Sequence, residues 1–244
     1  MYLLSLSSTL NLYSLLDLPQ ETARCRFVLI LSLNISWPKT IIMASLRQTA
    51  RSLFQTLSQI PELQSAMVIL IGSIAVSQYL HGVNPKNIDV LIKLCGDYQA
   101  GTNEHVARLG QSRFPGIFTI DNNPGCGLRT VFRGVPIRFH HKDTLPWIAS
   151  SSMTAVAKAG SFLPFLNIYD LMVSRFWSAR LRGTDNYKID ISQAVKLMVT
   201  QVDPVTGLVS VTDVQREFLR CPIEELRERS DTDQWLLDAF EIVM

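Results

Sequence analysis

The sequence lacks a surplus of charge of either sign. Lys and Arg together number 23 and Asp and Glu together number 21 in 244 residues, which leaves a formal net charge of +2. Proteins that bind nucleic acid or an anionic membrane through charge concentrate positive residues well above such a balance. We therefore expect no nucleic-acid-binding surface, and the basic residues between 175 and 188 are the local candidate for an exception.

The sequence also lacks closely spaced cysteines and long apolar runs. Cys25, Cys95, Cys126 and Cys221 form no C-x-x-C pair, which argues against a zinc knuckle or a thioredoxin-like site. Scattered thiols are typical of a reducing compartment, so we expect an intracellular, cytoplasmic protein. No run reaches the roughly 18 apolar residues of a membrane-spanning helix. The apolar N-terminus has no basic residue before Arg24, unlike a signal peptide.

What the sequence does contain is a regular hydrophobic pattern from Ser45 onward. Apolar residues at helical spacing predict a helix from Ser45 to Ile60, which Pro61 ends. The elements predicted after it are a strand (66–71), a helix (72–81), a strand (87–94), a helix (103–112), a strand (116–120), a turn (121–127) and a hairpin around Gly134 (128–141). This order predicts an α/β (α+β) fold, a mixed sheet flanked by helices.

Three regions are predicted along the chain. Residues 1–42 are expected to be an N-terminal extension outside the fold, with Met43 as a plausible start, or else an extra element packed on it. Residues 43–148 form the α/β domain, and residues 149–244 form a helical part packed on it. This helical part begins with a Ser- and Ala-rich loop (149–161), and its predicted helices cover 167–182, 187–202, 212–220, 223–229 and 232–243.

A candidate site lies between the first two predicted strands. Gly72 and Ser73 begin a helix, where free backbone N–H groups and the absence of a Cβ suit a phosphate group. Alternate residues of a strand share a face, so Asn87 and Asp89 are expected to point the same way. Carboxylates beside a phosphate-binding turn are typical of magnesium-dependent nucleotidyl transfer. Without further context, Asp89 is more simply a polar residue at a sheet edge.

Taken together, these residues resemble the signature of the DNA polymerase β-like nucleotidyltransferase superfamily. The segment "GSIAVSQYLHGVNPKNIDV" has its order of glycine turn, helix and acidic strand. The segments "GVPIRFHH" and "FLNIYDLMVSRFWSARLRGTDNYKID" are similar to later parts of the family, in matching order. The resemblance spans roughly residues 46–200 and is strongest to small, largely uncharacterised fungal members and their bacterial toxin relatives.

Two of the three carboxylates that the resemblance implies are missing. Asp89 occupies the second position and is the predicted metal ligand. Asn87 stands at the first position, and His140 stands at the third, where the family has its base. An amide oxygen brings no charge to a metal, and imidazole is a poor magnesium ligand. We therefore expect weak Mg²⁺ binding and weak or absent catalysis.

The ligand that the resemblance implies is a nucleoside triphosphate. Its phosphates would contact Gly72, Ser73, Arg175 and Lys188, and Asp190 matches a later family aspartate. We expect a degenerate family member that binds a nucleotide or a protein partner. Two alternatives stay open. One is an active metal-dependent nucleotidyltransferase that moves a nucleoside monophosphate onto a hydroxyl of RNA, protein or a small molecule. The other is a protein-binding module that kept only the fold.

Overall fold

A computed structural model of the chain describes residues 39–94, 102–123, 127–181, 184–201, 203 and 209–227. Most of the predicted extension (1–38) and the helix predicted over 232–243 lie outside these ranges. The division of the chain at 42/43 and 148/149 stays a prediction. No helix in the described ranges is both long enough and apolar enough to cross a membrane.

The centre of the fold is a six-stranded mixed sheet. Its strands are β1 (Met67–Ile71), β2 (Ile88–Lys93), β3 (Phe118–Asn123), β4 (Gly127–Phe132), β5 (Val135–His141) and β6 (Thr154–Ala155). They lie in the order β3-β4-β5-β2-β1-β6. Strands β2 and β5 run parallel, and all other neighbours are antiparallel. Arg133 and Gly134 both have positive φ, as a type I′ turn requires, so the predicted hairpin is confirmed.

Helices flank this sheet, which confirms the predicted fold class. They are α1 (Lys39–Leu57), α2 (Gly72–Val76), α3 (Thr102–Arg113), α4 (Val156–Ala159), α5 (Ile168–Leu181), α6 (Thr184–Val199) and α7 (Asp213–Arg227). At the start of α5, Asn167 accepts a hydrogen bond from the Asp170 backbone N–H at 2.9 Å and donates one to the Asp170 carboxylate at 2.6 Å. This pair caps the helix as its sequence predicts.

The two faces of the sheet carry separate apolar cores. Ile88, Val90 and Ile92 alternate along β2 and pack in a cluster with residues of α1, α3 and α4. Leu91 and Ile71 point to the opposite face and pack in a cluster with residues of α5, α6 and α7. Because the side-chain period of a strand is two, Asp89 shares the face of Leu91. Asp89 therefore lies at the margin of the layer formed by the C-terminal helices.

Helix α2 is shorter than predicted. It ends at Val76, and the chain continues to Leu80 in hydrogen-bonded turns instead of a helix through His81. Ser77 donates its hydroxyl to the Ile74 carbonyl at 2.6 Å, a local bond that competes with helical backbone bonding. Tyr79 then donates a hydrogen bond to the Leu166 carbonyl at 3.1 Å, and burial raises the pKa of this phenol. The segment after Gly72 is thus tied to the entry of α5.

Two segments predicted to be irregular belong to the sheet. Residues 121–123 continue β3 and pair with the start of β4, so the predicted turn over 121–127 is too long. Within the predicted loop at 149–161, Thr154–Ala155 forms the edge strand β6 beside β1. The backbone N–H of Val156 then bonds the Ala66 carbonyl at 2.9 Å. Neither segment has strong strand propensity, and pairing with a neighbouring strand decides both.

Helix α7 unites two helices that were predicted separately. It runs without interruption from Asp213 to Arg227 and contains Pro222, which the sequence pattern placed between helices at 212–220 and 223–229. Leu219 and Ile223, on either side of this proline, are both fully buried in the core beside α5 and α6. Packing of this face therefore holds the helix together across a residue that normally interrupts one.

Candidate functional site

The candidate site is a cleft of about 550 Å³ at one end of the sheet. Strand β1 ends where its antiparallel neighbour β2 begins, so the turn after β1 and the residues at the start of β2 lie side by side. The cleft lining also includes residues from β5, from the segment after it, and from α5 and α6. Six residues predicted for the site line the cleft: Gly72, Ser73, Asn87, Asp89, His140 and Arg175.

The sheet register explains why residues distant in sequence meet here. Asp89 pairs with Ile71 on one side and with Arg138 on the other, and Leu91 pairs with His140. Paired residues and alternate residues share a face of the sheet. Asp89, Arg138 and His140 therefore project to the same side, above the layer of C-terminal helices. The parallel pairing of β2 with β5 thus places the third predicted position beside the second.

The Asp89 carboxylate is held by its neighbours. Its Oδ1 accepts a hydrogen bond from Asn87 Nδ2 at 2.7 Å and lies 3.5 Å from His140 Nε2. The Asp89 side chain is 14% exposed, whereas that of His140 is 38% exposed. The amide at position 87 therefore acts as a donor toward the carboxylate. His140 faces the same oxygen and forms an ion pair with Asp89 when its imidazole is protonated.

The turn at Gly72 depends on glycine for two reasons. Its φ of +69° lies in the left-handed region, where a Cβ is unfavourable. A Cβ at this position would also overlap Asp89 Oδ2 and lie 3.0 Å from both Cβ and Cγ of Asp89. The glycine turn and the carboxylate are therefore in direct contact. Because α2 has only five residues, its dipole is short and contributes little to anion binding.

Arg175 lines the cleft but is almost fully buried. Its Nη1 lies 2.8 Å from Asp190 Oδ1, and the two side chains are 4% and 2% exposed. Its Nε and Nη2 atoms are buried and have no hydrogen-bond partner among the described residues. This ion pair connects α5 to α6, and Asp190 offsets most of the positive charge that Arg175 would offer to a ligand.

Lys188 is the one residue predicted to bind phosphate that does not line the cleft. It immediately precedes the cleft-lining Ile189 in α6. Its Nζ lies 5.9 Å from the centre of the Tyr187 ring, within the range of a cation–π contact. The role predicted for Lys188 in phosphate binding stays a prediction.

Sequence reasoning missed several residues of the cleft, among them Lys86, Arg138 and Trp177. Arg138 is two residues before His140 in β5, so the strand period was a signal that could have placed both on the same face. Lys86 immediately precedes Asn87 in the chain. Trp177 packs against Trp147 and Phe218, with ring centres 5.8 and 5.7 Å away. No local pattern connects this tryptophan with the strands.

The cleft does not offer the ligand set of a magnesium site. Asp89 is the one carboxylate among the described residues that line it. Within the described ranges, no group of three or more His, Cys, Asp or Glu side chains is placed to hold a metal ion. Asn87 turns its amide nitrogen toward Asp89, so its oxygen is turned away from that carboxylate oxygen. These residues do not fit the Mg²⁺ that the family resemblance implies.

Comparison with solved structures gives distant likenesses. The chain is similar to an antigenic nucleotidyltransferase-like protein from Paracoccidioides brasiliensis, with 13% identity over 82% of this chain and 93% of that chain and a TM-score of 0.46. It is also similar to E. coli MS115-1 CdnC in a complex with HORMA-deltaN, with 20% identity, coverage of 78% and 68%, and a TM-score of 0.36. For the same protein with ATP the identity is 19%, the coverage is 81% and 71%, and the TM-score is 0.32.

No family model matches the sequence, and no curated protein matches it. The first of these structural neighbours is described as nucleotidyltransferase-like. At these TM-scores no residue role is transferred from a neighbour to this chain.

Proposed function

We propose that the chain is a degenerate nucleotidyltransferase-like protein that binds a nucleoside triphosphate in the cleft beside Gly72 and transfers little or no nucleotide. The observation that carries this proposal is the state of Asp89. It is the one carboxylate among the described cleft residues, and both of its oxygens face protein groups. The cleft keeps the layout of a nucleotide site without its metal ligands.

Binding is supported by the shape and charge of the cleft. A volume of about 550 Å³ is within the usual range for small-molecule sites, roughly 300–1,000 Å³. The glycine turn brings the backbone to the surface of the cleft, and Lys86 and Arg138 contribute positive charge to its lining. An anionic ligand of nucleotide size suits this combination better than a neutral one.

Weak or absent transfer follows from the missing carboxylates. Nucleotidyl transfer needs metal ions to offset the charge that develops on the transferring phosphate and to activate the acceptor hydroxyl. With Asn87 and His140 at two of the three positions, Asp89 alone supplies formal negative charge for such ions. The Nε2 atom of His140 also faces Asp89 Oδ1 at 3.5 Å, so this nitrogen is directed to a carboxylate.

The test separates binding from transfer. Thermal unfolding of the purified chain would be followed with ATP, CTP, GTP and UTP in turn, each with magnesium and with EDTA. We expect at least one nucleotide to raise the unfolding temperature, because a ligand of the folded state stabilises it by mass action. Transfer would be followed with the same nucleotides labelled at the α-phosphate, with RNA, casein and the chain itself as acceptors.

The outcomes assign the protein to one of three classes. Stabilisation without transfer of label supports the proposal. Transfer that disappears in Asp89→Ala would instead establish an active nucleotidyltransferase in which Asp89 serves catalysis. The absence of stabilisation by any nucleotide under either condition would refute nucleotide binding and leave a protein-binding module as the remaining candidate.

A further inference from the structure

The cations that line the cleft are not equivalent. Arg175 is paired with Asp190 in the interior, so its charge is already offset. Lys86 and Arg138 are exposed, and neither makes a hydrogen bond or an ion pair with any described residue. An exposed cation that no described residue neutralises keeps its capacity to bind an anion. The uncompensated positive charge of the cleft therefore resides on these two side chains.

Asp89, the one carboxylate among the described cleft residues, is poorly placed to coordinate a metal ion. Mg²⁺ requires near-octahedral oxygen coordination with open access to its ligands. Asp89 Oδ1 is engaged by Asn87 and faces His140, and Asp89 Oδ2 lies against Gly72. A metal ion would have to displace the amide and compete with the imidazole. Direct contact between phosphate oxygens and cationic side chains leaves the contacts of Asp89 with Asn87 and His140 in place.

We propose that Lys86 and Arg138 hold the phosphates of the bound nucleotide directly, so that binding needs no divalent cation. The inference rests on the proposed function. It adds which residues contact the phosphates, and that these residues bind the nucleotide without magnesium in preference to its magnesium complex. Arg138 can contact two phosphate oxygens at once through its planar guanidinium, and Lys86 supplies a compact charge on a flexible stem. Magnesium in solution neutralises part of the phosphate charge and competes with both side chains.

This inference predicts an unusual response to mutation of Asp89. In a metal-dependent site, Asp89→Asn removes a ligand charge and weakens nucleotide binding. In a site that holds phosphate directly, the same substitution removes a negative charge from the neighbourhood of an anionic ligand. The Asn87 amide can still donate to the new amide oxygen at position 89, so the local contact is kept. We expect Asp89→Asn to bind the nucleotide as tightly as the natural chain or more tightly.

The experiment is a calorimetric titration of the full chain with the nucleotide that stabilises it most, in EDTA and in excess magnesium. We expect affinity in EDTA to equal or exceed that in magnesium. Lys86→Gln and Arg138→Gln should each weaken binding about tenfold, the equivalent of ~1.4 kcal/mol for one charge-assisted contact. Matched controls are Lys158→Gln and Arg129→Gln, which remove the same charges from exposed positions outside the cleft lining.

Two outcomes distinguish this inference from the function on which it rests. Binding that requires magnesium and is weakened by Asp89→Asn would overturn the direct contact while leaving nucleotide binding intact. Absence of binding in both buffers would remove the proposed function itself. Circular dichroism of each variant confirms folding, which the exposed positions of Lys86 and Arg138 favour.

A restoration variant tests the cause of the metal independence. Asn87→Asp combined with His140→Asp returns carboxylates to the two positions where the family resemblance expects them. The double variant should bind the same nucleotide more tightly in magnesium than in EDTA, the reverse of the natural chain. If it shows the preference of the natural chain, then the missing carboxylates do not determine how the cleft holds phosphate, and the inference fails.

Discussion

Replacement of Gly72 by alanine tests the contact on which the cleft is built. The substitution adds one methyl group at a residue with φ of +69°. That methyl group overlaps Asp89 Oδ2 and lies 3.0 Å from two carbon atoms of the same side chain. Either the turn moves away from β2 or Asp89 rotates and gives up its bond from Asn87. Both changes disturb the site directly.

The expected loss of stability has two parts. A side chain in the left-handed region costs about 1–2 kcal/mol, and the reduced entropy of the unfolded alanine chain returns roughly 0.4–1 kcal/mol of this. Loss of a hydrogen bond to a carboxylate adds about 1.5–3 kcal/mol. Together these terms predict that Gly72→Ala lowers the free energy of unfolding by ~3 kcal/mol. The larger part comes from the contact with Asp89.

Gly134→Ala is the matched control, because Gly134 has a similar φ of +80° but open space where its Cβ would be. Urea denaturation should show a loss of about 1 kcal/mol for this variant, with an unchanged slope. The difference between the two glycine variants measures the contact at Gly72. In an Asp89→Ala background that difference should become much smaller, since Oδ2 and Cγ are removed and only the Cβ of residue 89 remains, at 3.0 Å. Equal losses for both glycine variants in the natural background would refute the argued contact.

Three further predictions concern other parts of the described structure. Arg175→Ala should lower the free energy of unfolding in urea by about 3 kcal/mol, since it leaves Asp190 buried without its cation. Arg108→Ala removes an exposed ion pair on α3 and should change the free energy of unfolding by no more than about 0.5 kcal/mol. Equal losses for Arg175→Ala and Arg108→Ala would contradict the prediction that the buried pair contributes more to stability. Tryptophan fluorescence should change when nucleotide binds, and Trp177→Phe should abolish the change if the ligand occupies the cleft. Burial raises the pKa of the Cys221 thiol, so peptide mass spectrometry should find it alkylated by iodoacetamide more slowly at pH 8 than a free cysteine, with the gap closing at higher pH.

The sheet and most of its helices could be predicted because apolar periodicity follows from burial. The alternation of Ile88, Val90 and Ile92 with residues of the other face specifies a strand between two helical layers. The positive φ that glycine favours predicted the hairpin turn at Gly134. The capping pattern of Asn167 and Asp170 predicted the start of α5. In each case a short stretch of sequence contains the whole physical cause.

The missed elements depend on partners distant in sequence. Strand β6 exists because β1 offers it an edge, and helix α7 continues through Pro222 because its neighbours bury both sides. Helix α2 ends at Val76, and the segment after it is held by the bond from Tyr79 to the carbonyl of Leu166, 87 residues away. The residues at 149–161 and around Pro222 do not indicate which elements pack against them. The sequence pattern therefore predicted a loop at 149–161 and a helix break at Pro222.

The same distinction applies to the site. The positions of Gly72, Asn87 and Asp89 follow from one turn and one strand, and sequence reasoning placed them together. The role of Asp89 does not follow from position, because it depends on what its two oxygens contact. With Asn87 and His140 at Oδ1 and the Gly72 turn at Oδ2, the carboxylate supports the shape of the turn. The acid that lines the cleft is also the one against which the Gly72 turn packs, so its contact with the turn gives Asp89 a structural role that needs no metal ion.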